Sequence, residues 1–230
     1  MTAIATRLES VHQRIHNAAT TYGRPDNAVQ LLAVSKTRPA EDIRAALEAG
    51  QHCFGESYLQ EAIEKIQQLS DTQAQWHFIG RIQSNKTKVI AEHFDWVHGL
   101  CSLKHAQRLN DQRPNNLPPL NVCLQINLSK EASKAGITPE DSAELARLIH
   151  DLPRLHLQGL MTLPAPAETL DQQRHPFKLL RGLRDKIRTH ELPLDTLSMG
   201  MSADLEAAIA EGATIVRVGT AIFGPRNQKK

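Results

Sequence analysis

Short apolar runs and longer amphipathic stretches take turns along this chain, and that alternation constrains the fold more than any other feature. Short, largely apolar runs cover residues 31–37, 52–54, 75–80, 95–100, 120–127, 155–161, 196–199 and 215–219. Their length and flanking turn residues predict buried strands. Between them, segments 39–49, 58–69, 84–93, 103–111, 138–152, 168–190 and 203–210 carry apolar residues at helical spacing. Ile43, Ala46 and Leu47 make one such face, stopped by Gly50, and Leu59, Ala62, Ile63 and Ile66 make the next. Thr138-Pro139-Glu140-Asp141 has the form of a helix start, with a hydroxyl cap, proline at the first helical position and acids in the first turn. A further helix is predicted over 4–20, where Ile4, Leu8, Val11, Ile15 and Ala18 share a face, and a last short turn over 222–224.

Eight strands alternating with helices argue for parallel pairing through right-handed crossovers. The count of eight and a length of 230 residues favour closure into a single (β/α)8 TIM barrel spanning 1–230, of α/β class, with an extra N-terminal helix. An open doubly wound sheet is the structural alternative.

A net charge of +2 offers no electrostatic case for nucleic acid or an anionic membrane. The amino terminus lacks the apolar core of a signal peptide, and no apolar run is long enough to span a bilayer, so a cytoplasmic protein is expected. Cys53, Cys101 and Cys123 are odd in number and show no Cys-x-x-Cys spacing, which indicates reduced, partly buried thiols. His12 and His16 stand four apart on the first helix, but no third ligand motif accompanies them, and they read as solvated.

The first strand ends in Lys36. Side chains alternate along a strand, so Leu32, Val34 and Lys36 share one face, and Leu31, Ala33 and Ser35 the other. Burial disfavours the charged form of a lysine and frees its amine to attack aldehydes, although a lysine snorkelling from a strand end is the plainer account. In a closed barrel the eighth strand lies beside the first, and Arg217 then points inward near Lys36. Two cations at one mouth call for an anionic or electron-rich ligand; an arginine paired with an inward carboxylate is the alternative. Loops after the seventh and eighth strands of such barrels commonly hold a phosphate. Gly200-Met201-Ser202 leads toward a helix beginning near Ala203, and Gly219-Thr220 joins an unobstructed backbone to a hydroxyl. Ser202 as an ordinary helix cap and Gly219 as an ordinary turn residue are the bland readings. Taken with Lys36 they make a phosphate cup beside a reactive amine, and a phosphorylated aldehyde uses all of it.

Several motifs carry a family resemblance. Ala33-Val34-Ser35-Lys36-Thr37, His77-Phe78-Ile79-Gly80 with Gln83-Ser84-Asn85-Lys86, Gly159-Leu160-Met161, and the segments 197–202 and 217–224 closely resemble the pyridoxal phosphate homeostasis proteins, relatives of the alanine racemase N-terminal barrel. The resemblance implies pyridoxal 5′-phosphate held as a Schiff base. By position it implies Lys36 as the imine-forming lysine, Ser202, Gly219 and Thr220 as the phosphate site, and Arg217 as partner of the pyridine nitrogen. Met199 and Asn85 are implied as further cofactor contacts. At Ser57 the chain departs from the family, which usually has asparagine there, and a serine cannot donate through an amide.

A permanently protonated guanidinium donates to the pyridine nitrogen and weakens the ring as an electron sink. The expected function is therefore that of a pyridoxal phosphate binding protein acting in vitamin B6 homeostasis, buffering or delivering cofactor, with apo pyridoxal phosphate enzymes as partners and a monomeric state. A weak amino acid racemase or lyase is the alternative. Lys134, Lys86 and Lys88 are candidate secondary amines, with solvated lysines as the plain reading.

Overall fold

A computed structural model describes residues 2–129 and 135–225. Eight strands form one closed barrel in sequence order: β1 (Gln30–Val34), β2 (Cys53–Glu56), β3 (Gln75–Phe78), β4 (Trp96–Leu100), β5 (Leu120–Gln125), β6 (Leu155–Met161), β7 (Thr196–Ser198) and β8 (Ile215–Val218). Every neighbouring pair is parallel, and β8 closes on β1 with Leu32 opposite Arg217 and Ala33 opposite Val218. The closed barrel is the architecture that the alternation predicted, and the open sheet is excluded.

Helix α1 (Ala3–Thr21) precedes β1, and α2 (Ala40–Glu48), α3 (Leu59–Gln68), α4 (Thr87–His93), α5 (Leu103–Gln112), α6 (Ser142–His150), α7 (Leu170–Ile187), α8 (Leu205–Ala210) and α9 (Thr220–Phe223) follow their strands. The sequence periodicity built these faces as expected. Leu8, Val11, Ile15 and Ala18 of α1 are all buried in the main core, which lies between barrel and helices. On β1, Leu31 and Ala33 join that outer core. Leu32 does not, and instead packs inside the barrel, where a Cβ on Gly55 would meet its side chain at 3.3 Å. The alternation placing Leu32, Val34 and Lys36 on one face therefore aims that face at the barrel interior.

Several boundaries shift. Lys36 stands two residues beyond the end of β1, in a turn where Thr37 adopts a positive φ of 66°. The predicted strands at 75–80, 120–127, 196–199 and 215–219 end earlier, at Phe78, Gln125, Ser198 and Val218, because the last residues leave the ladder to build the mouth. Helix α6 begins at Ser142 rather than near Thr138: the Asp141 N–H donates to Thr138 Oγ1 at 3.2 Å, so that hydroxyl closes a turn ahead of the helix. Helix α8 begins at Leu205 rather than Ala203, because Asp204 Oδ1 accepts from the Met201 N–H at 2.6 Å and folds 201–204 into a separate turn. Helix α4 begins at Thr87, leaving Ser84 and Asn85 in the preceding turn.

Among the described residues no helix is long and apolar enough to cross a membrane, and no group of three metal-ligating side chains gathers. Cys53, Cys101 and Cys123 are free thiols, the last fully buried.

Candidate functional site

A cavity of about 290 Å³ opens at the C-terminal mouth of the barrel, near the lower end of the usual size range for small-molecule sites. Lys36, Arg217, Ser202, Gly219 and Thr220 all line it. Five residues from three separate loops and a strand, grouped by the sequence reading, thus meet in one place. Ser57, Arg38, Ile79, Met161, Leu163 and Met201 complete most of the wall. Three of the lining side chains are cations, Lys36, Arg38 and Arg217, and no lining side chain is a carboxylate.

Lys36 is half-buried, and its Nζ donates to Ser57 Oγ at 3.4 Å. A clamp from α3 and β2 holds the residues on either side of it. Ser35 donates its hydroxyl to Glu56 Oε1 at 2.6 Å, while Lys65 Nζ donates to the Ser35 carbonyl at 2.9 Å and to Glu56 Oε1 at 2.7 Å. Lys65 also bridges to Glu61, which accepts from the Thr37 N–H at 2.6 Å. The turn that presents Lys36 is thereby pinned at its carbonyl, its hydroxyl and its following amide. Burial pushes the Glu56 carboxyl up, against the pull of Lys65 and the Ser35 hydroxyl.

Arg217 sits inside the barrel, with Nη1 donating to Ser198 Oγ at 2.6 Å and Nη2 to the Thr162 carbonyl at 2.9 Å. Both partners are neutral. Burial pushes the guanidinium pKa down to about 10, opposed by Asp204 and Cys123, so it stays cationic at neutral pH. A Cβ at Gly219 would come within 3.1 Å of the Val34 carbonyl, a tight approach where the backbone after β8 crosses the end of β1. Gly200 has a φ of +92°, and a Cβ there would strike Ala208 at 2.4 Å. Close packing at these two glycines draws the 200–204 turn and the start of α9 together over the mouth. Arg14 of α1 ties the turn down from outside, donating to the Ser202 carbonyl at 3.0 Å and pairing with Glu206 at 2.8 Å. Arg38 is held at the rim by the Gly224 and Pro225 carbonyls, at 2.6 and 2.7 Å.

Two expected contacts are not brought to the cavity. Asn85 is exposed in the turn before α4, and Met199 is fully buried in the outer core, one residue past β7. Alternation explains the second: Ser198 takes the inward position at the end of β7 and turns its neighbour outward. Lys86 caps the start of α4 and Lys88 lies in its first turn, both exposed and neither lining the cavity, and Lys134 lies outside the described residues. The sequence reading discounted Ser57 and missed Arg38, which stand on the wall. Their signal was proximity, since Arg38 follows Lys36 by two residues and Ser57 ends the run that starts at β2. His16 pairs with Asp26 at 3.2 Å on the surface, as a solvated histidine.

Comparison with known proteins adds the following. Residues 7–227 match the family described as alanine racemase, N-terminal domain. A pyridoxal phosphate homeostasis protein of Pseudomonas aeruginosa is 56% identical over 227 residues, 99% of this chain and 97% of that one. The protein of the same name from Escherichia coli is 50% identical over 233 residues, covering 100% of both. Among solved structures, PipY of Synechococcus elongatus with PLP bound is 38% identical, with a TM-score of 0.85, covering 96% of this chain and 100% of that one. Alanine racemase from Corynebacterium glutamicum shares the fold at 17% identity and a TM-score of 0.64, this chain matching 61% of its length.

Proposed function

Because the chain belongs to the pyridoxal phosphate homeostasis proteins, and to the alanine racemase N-terminal-domain family, we propose that it binds pyridoxal 5′-phosphate at the barrel mouth and buffers or delivers it, without a robust catalytic cycle of its own. The observation that carries this reading is the composition of the cavity wall, with three cations and no carboxylate around three hydroxyls and an apolar floor. Such a wall suits a dianionic phosphate ester with an aromatic ring. The bound relative PipY supports the choice of ligand.

Lys36 is the tether. Its amine adds to the aldehyde carbon and water leaves, giving a Schiff base that water can reverse. Pinning of Ser35 and Thr37 by the Glu56–Lys65–Glu61 cluster keeps the amine at one height above the barrel floor. Ser202, Thr220 and the open backbone at Gly219 receive the phosphate oxygens. Arg217 would donate to the ring nitrogen and keep it unprotonated, which weakens the ring as an electron sink. Among the described residues lining the cavity there is no histidine, cysteine, tyrosine or carboxylate to serve as a second acid or base beside Lys36. Tyr58, the tyrosine next to Ser57, is 53% exposed and is not on the wall. A monomeric protein of the cytoplasm that hands cofactor to apo enzymes completes the reading.

Titration with pyridoxal phosphate tests it. The wild type should develop a visible imine absorption band, and Lys36→Ala should not; absence of the band in the wild type overturns the binding claim. Chiral analysis of amino acids after prolonged incubation tests the carrier role, which sustained racemisation would contradict.

A further inference from the structure

Below Arg217 the barrel interior holds a file of polar side chains that the cofactor site alone does not require. Ser198 Oγ, which accepts from Arg217, lies 2.8 Å from His98 Nδ1. His98 Nε2 lies 2.9 Å from His77 Nδ1, and His77 Nε2 lies 3.2 Å from Gln75 Oε1. Ser198, His98 and His77 are fully buried. Cys53 Sγ donates to the same Gln75 oxygen at 3.3 Å. Cys53 and Gln75 are the first residues of β2 and β3, so the file runs from the mouth to the opposite end of the barrel.

Chemistry fixes its direction. A guanidinium has donors only, so Ser198 Oγ accepts from Arg217 and keeps its own hydrogen available for His98 Nδ1. A neutral imidazole carries one N–H, so His98 is protonated at Nε2 and donates to His77 Nδ1. His77 in turn donates from Nε2 to the Gln75 carbonyl oxygen, which can only accept. The acceptor-only Gln75 oxygen sets this polarity for two neutral rings, and the donor-only Arg217 end is compatible with it. With this polarity an imidazolium at His77 would set its Nδ1–H against the His98 Nε2–H at the 2.9 Å contact, and one at His98 would turn an Nδ1–H toward the Ser198 hydroxyl hydrogen.

We propose that Ser198, His98 and His77 are positioning residues for Arg217, forming a one-way file of neutral hydrogen bonds with both histidines as Nε2–H tautomers, which aims the guanidinium at the ligand without neutralising it. Its effect on the ligand rests on the cofactor reading above. Burial supports the neutral state, holding His77 at about 3 and His98 well below the ordinary histidine range. Two titratable groups act on Arg217 from other elements. The Cys123 thiol is pushed up to about 12 by burial and is neutral, and Asp204 is committed to the Met201 N–H. Neither replaces Ser198 as the hydrogen-bond partner of Nη1.

Two measurements test the file. Long-range proton–nitrogen NMR of cofactor-free protein labelled at its 11 histidines, near neutral pH, should show His77 and His98 as neutral Nε2–H rings; an Nδ1–H tautomer or an imidazolium at either overturns it. The second compares His98→Asn with His98→Leu in pyridoxal phosphate titrations. The asparagine oxygen takes the place of Nδ1 and accepts from Ser198, and leucine cannot. The leucine variant should bind about tenfold more weakly, with a displaced visible band, and the asparagine variant should stay near the wild type. Equal losses in both variants with an unmoved band would mean a structural role only and overturn the proposal. Ser198→Ala, which removes the acceptor outright, should match the leucine variant and replaces it where leucine prevents folding. Absence of any band in the wild type defeats the cofactor reading, while the NMR result still decides the file.

Discussion

Lys65 and Arg217 are both buried cations, each 4% exposed, and the protein treats them in opposite ways. Lys65, outside the barrel under the Lys36 turn, is paired with two carboxylates and a carbonyl. Among the described residues the Arg217 guanidinium, inside the barrel, donates to a hydroxyl and a carbonyl and to no carboxylate. Charge on the first is consumed by the fold. Charge on the second is held by neutral partners alone. A buried cation without a bonded carboxylate carries a desolvation cost that internal pairing would offset. The binding role proposed for Arg217 would account for leaving that cost in place.

Substitutions should separate the two. Lys65→Met leaves the fully buried Glu56 without its counter-charge, and should cost about 3–5 kcal/mol in denaturant unfolding. A loss under about 1 kcal/mol would show that the clamp is not needed. Acid should then weaken the neutral interior around Arg217. Folded pKa values of His77 and His98 lie below the unfolded value of about 6.5, so the unfolded chain binds more protons and stability falls as pH drops below that value. Between pH 6.5 and 5.5 the pair should cost about 2 kcal/mol, and replacing both histidines by glutamine should flatten that slope in thermal melts. Arg217→Met orphans no carboxylate, and should change stability by no more than about 1 kcal/mol while weakening pyridoxal phosphate binding at least about tenfold. Large destabilisation by this variant would place Arg217 with Lys65. Glu206→Ala breaks an exposed pair with Arg14, whose side chains are 35% and 43% accessible, and should cost about 0.5 kcal/mol or less.

Much of this was legible because local patterns and closure act together. Apolar periodicity marks each strand and helix, and the count of strands places the eighth beside the first, which puts Arg217 and Lys36 at neighbouring strands. Element ends were less legible, because side-chain caps decide them: Thr138 and Asp204 each close a turn where composition favours a helix. Met199 faces the outer core because one residue of register turns a side chain away from the barrel interior. The histidine file was hidden by distance along the chain. His77 and His98 are 21 residues apart and Ser198 another 100 beyond His98. Polar residues at inward positions of β3, β4 and β7 were the available signal, and only a closed barrel brings them into one line.

The account turns on one covalent bond. Protein incubated with pyridoxal phosphate, reduced with borohydride and digested should carry a pyridoxyl group on the peptide containing Lys36, as read by mass spectrometry. Recovery of that label at Lys36 at near one equivalent is the predicted result. A label spread over surface lysines such as Lys86 and Lys88, or absent from Lys36, would contradict it.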